Sequence, residues 1–117
     1  MNPSSQESRK KDHELGIRVV RDSLVKEGYA IDAVNTDLEQ MPQILASRNG
    51  KCTFFIVLTE RMSTPTLSVE LRSECVEHAE KFDATCMFAP VSLWPSGERD
   101  GNGEEGFFVK YRGYSAT

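Results

Sequence analysis

The sequence has no long apolar run, few histidines and cysteines, and no excess of positive charge, and each shortage excludes a class of protein. No stretch approaches the roughly 18 consecutive apolar residues of a membrane span, and the opening Met1-Asn2-Pro3-Ser4-Ser5-Gln6-Glu7 has no apolar segment of the kind that directs export. A cytoplasmic protein with no membrane association is expected. Its three cysteines, Cys52, Cys75 and Cys86, are an odd number without the short pairwise spacing of a zinc or redox motif, and each stands in an apolar setting. They read as reduced, buried packing residues. Lys and Arg together number 14 against 18 Asp and Glu, a net charge of -4, which disfavours nonspecific binding to nucleic acid or to an anionic membrane. What the chain does have is 38% hydrophobic and 27% charged residues over 117 positions. That is the composition of one globular domain, which at this size buries roughly two thirds of its unfolded surface without disulfide or metal staples.

Residues 1–11 are polar and show neither helical nor strand period, so a disordered polar tail is expected there, followed by a single α/β domain over 12–117. Asp12 offers a helix N-cap, and Leu15, Ile17, Val19, Val20 and Leu24 recur at three- and four-residue steps, predicting a helix from His13 to Glu27 that Gly28 ends. Tyr29, Ile31 and Val34 predict a short strand, after which Asn35-Thr36-Asp37 favours a turn through side-chain to backbone hydrogen bonds. Gln43 to Ser47, then Asn49-Gly50, then Cys52 to Thr59 predict a hairpin, whose second strand is apolar enough to be central and covered on both faces. Leu67, Leu71, Cys75, His78 or Ala79, and Phe82 predict a second helix over 66–82. Thr85 to Val91 reads as another buried strand, with Pro90 placing its far end at an edge or bulge. Trp94 closes that run, Pro95 to Gly106 reads as a polar loop, and Phe107 to Tyr111 as a last strand. The expected fold is α/β, a single three-layer-like domain of order α-β-β-β-α-β-β, with a mixed central sheet flanked by two helices.

Few motifs carry chemistry. Gly101-Asn102-Gly103-Glu104-Glu105-Gly106 matches G-x-G-x-x-G, but it precedes a strand instead of linking a strand to a helix, and its acids would repel phosphate. Glu98, Asp100, Asn102 and Gly103 fall at offsets like the first half of a calcium loop, yet the twelfth position is Val109. Cys75 and His78 share a helix face with Cys86 not far in sequence, but that face is needed for the core, so no metal is expected. His13, beside Glu14, reads as exposed, with no nucleophile nearby in sequence.

The order helix, three strands, helix, strand, with Pro42 opening one strand and an apolar central strand after the Asn49-Gly50 turn, resembles the PD-(D/E)XK nuclease core over roughly 14–91. The resemblance implies a Pro-Asp at the second strand, a Glu-x-Lys in the third and an assisting Glu on the first helix, which together hold a divalent ion and orient the attacking water. Here the Pro-Asp position is Pro42-Gln43 and the Glu-x-Lys position is Val57-Leu58-Thr59, so only Glu14 keeps its acid, with Asp37 and Glu60 as neighbouring carboxylates. Glu14, Asp37, Gln43, Val57, Thr59 and Glu60 therefore form a candidate vestigial cleft with no catalytic residue. Val34-Asn35-Thr36-Asp37, Pro42-Gln43-Ile44 and Phe88-Ala89-Pro90-Val91 also resemble a group of short uncharacterised bacterial proteins, some labelled as a sodium-translocating NADH-quinone reductase subunit. The residues contradict that label, since there is no C-x4-C-x2-C run, no dinucleotide fingerprint in context and no membrane anchor.

The expected function is a non-catalytic interaction or structural domain on a degenerate nuclease-like fold, with no cofactor and with a protein partner or a second copy of itself. Phe107, Phe108, Tyr111 and Tyr114 are either pairing surface or core. The alternative is a metal-dependent nuclease or nucleic-acid binder whose site has moved onto Glu14, Asp37, Gln43 and Glu60. The segment 1–28 would then supply phosphate contacts, holding six basic and five acidic residues, Arg9, Lys10, Lys11, Arg18 and Arg21 among the former. A third reading is a small-molecule pocket in the vacated cleft, with Gln43, Thr59 and Arg61 as polar anchors.

Overall fold

A computed structural model of the chain describes residues 3–37, 42–99, 101, 103 and 105–117. The elements are α1 (Pro3–Lys26), β1 (Ala30–Val34), β2 (Ile44–Arg48), β3 (Lys51–Arg61), α2 (Val69–Lys81), β4 (Thr85–Arg99), β5 (Glu105–Tyr111) and β6 (Ser115–Ala116). The order is the expected α-β-β-β-α-β-β with a two-residue strand added at the end. One mixed sheet runs β1-β2-β3-β4-β5, with β6 also pairing β4, and only β3 and β4 are parallel. Helix α2 makes the crossover between those two, as a parallel pair requires.

Local chemistry explains most boundaries. Asn49 and Gly50 adopt φ of 56° and 76°, the paired positive angles of a two-residue hairpin turn, and bring Arg48 opposite Lys51. Gly28 at φ 95° ends α1, and the Tyr29 amide reaches back to the Leu24 carbonyl at 3.0 Å. The Asn35 side chain accepts from the Asp37 amide at 3.0 Å, the local bond expected of that cluster. Ser68 caps α2 by accepting from the Leu71 amide at 3.2 Å, so this helix starts at Val69 and not near Thr66.

Two boundaries differ more. Helix α1 begins at Pro3, so residues 3–11 are helical where a disordered tail was expected. Pro is at ease in a first turn, Gln6 to Lys11 are mostly good helix formers, and Glu7 and Lys11 stand at the favourable i, i+4 spacing. Asp12 therefore lies mid-helix and caps nothing. Its carboxylate instead takes the Arg61 guanidinium in two bonds of 2.7 and 3.1 Å. Strand β4 likewise runs through Pro95 to Arg99, where a polar loop was expected, because β5 pairs with it from Val91 to Pro95 and again at Arg99. Pro90 is interior to this strand and not at its end. It stands between the residues paired to β6, Met87 and Phe88, and those paired to β5, where the outer ladder is interrupted.

The sheet buries two cores. Ile17, Val20 and Leu24 of α1 pack on Phe55 and Val57 of β3 and on Ala89 and Val91 of β4. On the other face Cys75 and Ala79 of α2 pack on Phe54, Ile56 and Cys86. All three cysteines are free; Cys75 and Cys86 are buried as expected, whereas Cys52 is only half-buried. The Cys75 thiol donates to Cys86, which with burial pushes the Cys75 thiol pKa up.

Gly16 of α1 lies directly against Thr59 of β3. A Cβ on Gly16 would overlap Thr59 Oγ1 and lie 3.0 Å from Thr59 Cβ. Gly16→Ala tests this. On an exposed helix the change would gain about 1 kcal/mol; here overpacking costs more, for an expected net loss of about 1–3 kcal/mol. Urea unfolding of Gly16→Ala, Thr59→Ala and the double variant measures it, with part of the loss recovered in the double variant.

Candidate functional site

Strand alternation decides which of the six cleft residues can meet. Along β3 the odd residues Phe55, Val57 and Thr59 face α1, and Phe54 and Ile56 face α2. Glu60 therefore projects on the α2 side, where its carboxylate accepts from the Ser63 hydroxyl at 2.6 Å. It does not join Glu14, which belongs to α1 on the other side of the sheet.

Val57 and Gln43 are both wholly buried. The Gln43 carbonyl accepts from the Asn35 amide at 2.7 Å, and its side-chain Oε1 accepts from the Val57 amide at 2.7 Å. The Gln43 side chain thus supplies the acceptor that a backbone carbonyl of β2 would otherwise provide, one step beyond the strand's start. At the position where the resemblance expects a metal-binding acid stands a neutral side chain committed to the ladder. Thr59 is spent against Gly16, with its Oγ1 buried and unpartnered. Arg61 is paired to Asp12 and lies over the Phe107 ring at 4.4 Å. The three anchors of the small-molecule reading, Gln43, Thr59 and Arg61, are therefore built into packing and pairing.

Glu14 and Asp37 do come near each other, through His13. That histidine is 5% exposed, against the expectation of an exposed residue, because it falls on the same helix face as Gly16, Ile17, Val20 and Leu24. Its ring hydrogen-bonds the Asp37 backbone, and Glu14 and Asp37 both act on it electrostatically. Burial outweighs these and holds its pKa below the ordinary 6.5, so the ring is neutral near pH 7. Among the described residues His13 Nε2 has no hydrogen-bond partner, nor does Tyr111 OH. Thr59, Val91 and Tyr111 stand in register across β3, β4 and β5, which puts Thr59 and Tyr111 on the one sheet face that α1 covers. Burial raises the Tyr111 pKa to about 12. His13, Gly16 and Tyr111 were missed as a group. The signal for His13 was present, since positions 13, 17, 20 and 24 continue a single helical stripe.

The remaining motifs do not assemble. His78 is exposed and packs its ring on Phe54 and Phe82, with centroids 5.4 and 5.1 Å away, so it does not join Cys75 and Cys86 as a ligand. Among the described residues no three His, Cys, Asp or Glu side chains are grouped so as to hold a metal. Gly101 and Gly103 lie between β4 and β5, and Asp100, Asn102 and Glu104 of the two loop motifs lie outside the described residues. Arg9, Lys10, Lys11 and Arg18 are exposed along α1, and Arg21 pairs with Asp22 at 3.1 Å. Tyr114 packs edge-on against Phe55 and Tyr29, whereas Phe108 is 48% exposed.

Residues 12–117 match the profile of a family described as Domain of unknown function (DUF8840). The chain belongs to this family. A search of curated proteins finds no match. No described helix is long and apolar enough to cross a membrane. For the DUF8840 domain as folded here, the six cleft residues are divided among the interior, the α1 side and the α2 side.

Two measurements check these assignments. Gln43→Ala leaves the Val57 amide without an acceptor in the interior, for an expected loss of about 2–3 kcal/mol in denaturant unfolding. His13 binds a proton more readily in the unfolded chain than in the fold, so its contribution is complete above about pH 6.5 and is lost as pH falls from there toward the depressed folded value. Unfolding free energies between pH 7.5 and 5 should decline by at most about 1.4 kcal/mol per pH unit from this group, and His13→Gln should remove that part of the slope.

Proposed function

We propose that this DUF8840 domain is a non-catalytic, protein-interaction module on a degenerate nuclease-like α/β fold, acting in the cytoplasm as a homodimer or with a protein partner. The observation that carries this reading is the bond from the Val57 amide to Gln43 Oε1. It turns the position that a metal-dependent nuclease needs as a carboxylate into part of the sheet's own hydrogen bonding. Metal-assisted phosphoryl chemistry requires carboxylate oxygens converging on one point. Gln43 is neutral and internal, and Glu60 is across the sheet from Glu14.

A docking edge is available at β1. Among the described residues it is the last strand on its side of the sheet, so its outer amides and carbonyls face no described strand, and four of its five residues are exposed. Val34 is 41% exposed there, and a cleft of about 440 Å³ opens beside it, lined by Ala33, Val34, Asn35, Pro42, Gln43, Leu45 and His78. An extended segment added to β1 would gain main-chain bonds and place a side chain in that cleft. The shift in register between Ile31 and Ala33 limits the clean stretch to the end that holds Val34.

Titration with Mn2+ and Mg2+ under thermal unfolding, paired with a cleavage assay on single- and double-stranded DNA, tests the catalytic half. No saturable rise in Tm and no cleavage are expected. Metal-dependent cleavage that Glu14→Ala or Asp37→Ala abolishes would overturn the proposal. Sedimentation over a range of concentrations tests the docking half, with self-association expected and weakened about tenfold in Val34→Lys, a change at an exposed position. Association unchanged in that variant would move the interface away from β1.

A further inference from the structure

We propose that the cleft on the α2 side of β4 and β5 is a binding site for a nucleotide-class ligand, one that joins a phosphate monoester to a planar base through a sugar. It lies at the opposite end of the sheet from β1 and does not depend on the interaction reading. Helix α2 packs on β3 and β4, and the stretch of that sheet face carrying Ser92, Trp94, Phe108 and Lys110 extends past it toward β5. The cleft there has a volume of about 240 Å³ and is lined by Thr64, Pro90, Ser92, Trp94, Lys110 and Arg112, with Gly113 at its rim.

The lining is chemically complementary to such a ligand. Ser92 is 6% exposed, and its Oγ accepts from Trp94 Nε1 at 3.0 Å, which fixes the indole and leaves the Ser92 hydroxyl proton to donate. Thr64 adds a second hydroxyl. Lys110 of β5 and Arg112, just past the end of that strand, both line the cleft, and among the described residues neither forms an ion pair with a carboxylate. Two like charges side by side repel each other, and a dianion between them relieves that repulsion while offering oxygens for the guanidinium fork and the ammonium. Lys110 Nζ rests 4.9 Å from the Trp94 ring centroid and 5.9 Å from that of Phe108. Drawn toward a phosphate, the ammonium would uncover the Trp94 face, and with the exposed Phe108 ring beside it this gives a planar ligand a surface to stack on. Glu60 pairs in register with Ser92 one strand away, so its carboxylate opposes an anion here. Its bond to the Ser63 hydroxyl holds it toward the β3–α2 connection.

Trp94 is the only tryptophan in the chain, so its fluorescence reports on this cleft alone. The test is titration of the full chain with adenosine 5′-monophosphate, with adenosine and inorganic phosphate as separate arms. Expected is a saturable change with the monophosphate at millimolar concentration or below, and binding of adenosine or phosphate alone weaker by about tenfold or more. Lys110→Ala and Arg112→Ala, both at exposed positions, should each weaken the monophosphate by about fivefold, and Glu60→Gln should strengthen it about twofold. Circular dichroism of each variant confirms that the fold is kept. The proposal is overturned by the absence of a saturable change, by inorganic phosphate binding as tightly as the nucleotide, or by unaltered affinity in both cation variants.

Discussion

The fold depends on how closely α1 can lie on β3, and that is set by a missing side chain. Gly16 faces Thr59 with no room for a Cβ, so the helix axis sits nearer the sheet than larger residues would permit. That depth brings Ile17, Val20 and Leu24 into contact with Phe55 and Val57, and it carries His13 under cover one turn earlier. It also lets Asp12, on the same stretch of helix, reach Arg61 at the end of β3. A mid-helix glycine lowers the helix's own stability by about 1 kcal/mol, and the buried contacts it permits outweigh this.

Close packing of this kind fills the sheet face under α1. The interior under α1 is filled by Val57 and closed laterally by Gln43, whose side chain completes a ladder that the backbone leaves one bond short. Polar atoms that remain there, on His13, Thr59 and Tyr111, are held by packing. A buried polar atom without a partner destabilises the fold, so their presence sets a limit on how stable this face can be.

Much of the architecture was legible from residue pattern because the relevant interactions are local. The Asn49-Gly50 turn, the Gly28 stop and the Asn35 side-chain bond each involve residues within a few positions of one another. The extent of β4 was not legible, since Pro95, Gly97 and polar residues carry no strand signal, and pairing with β5 overrides their preferences. The start of α1 was hidden for a related reason: its first turns bear no apolar stripe, yet good helix formers continue a helix anchored further along. Within the candidate cleft, the uncharged side chains at Gln43, Val57 and Thr59 could be read directly, but the opposite facing of Glu60 could not. A strand of alternating faces separates neighbours in sequence by the whole thickness of the sheet, and that requires knowing where β3 begins and which of its faces meets α1.

The split outer ladder of β4 has its own consequence. Residues Met87 and Phe88 are paired by β6 and residues from Val91 onward by β5, with Pro90 in the break, so the final stretch of chain touches the sheet as two separate clasps on one strand. Each clasp can open alone, and the shorter, two residues long, is the weaker. Release of β6 would unseat Thr117 from the Cys86 carbonyl, to which its hydroxyl donates at 3.3 Å, and lay bare the edge of β4 at Met87 and Phe88 while β1 to β5 stay joined. Ser115 to Thr117 thus act as a removable cover on the first part of β4.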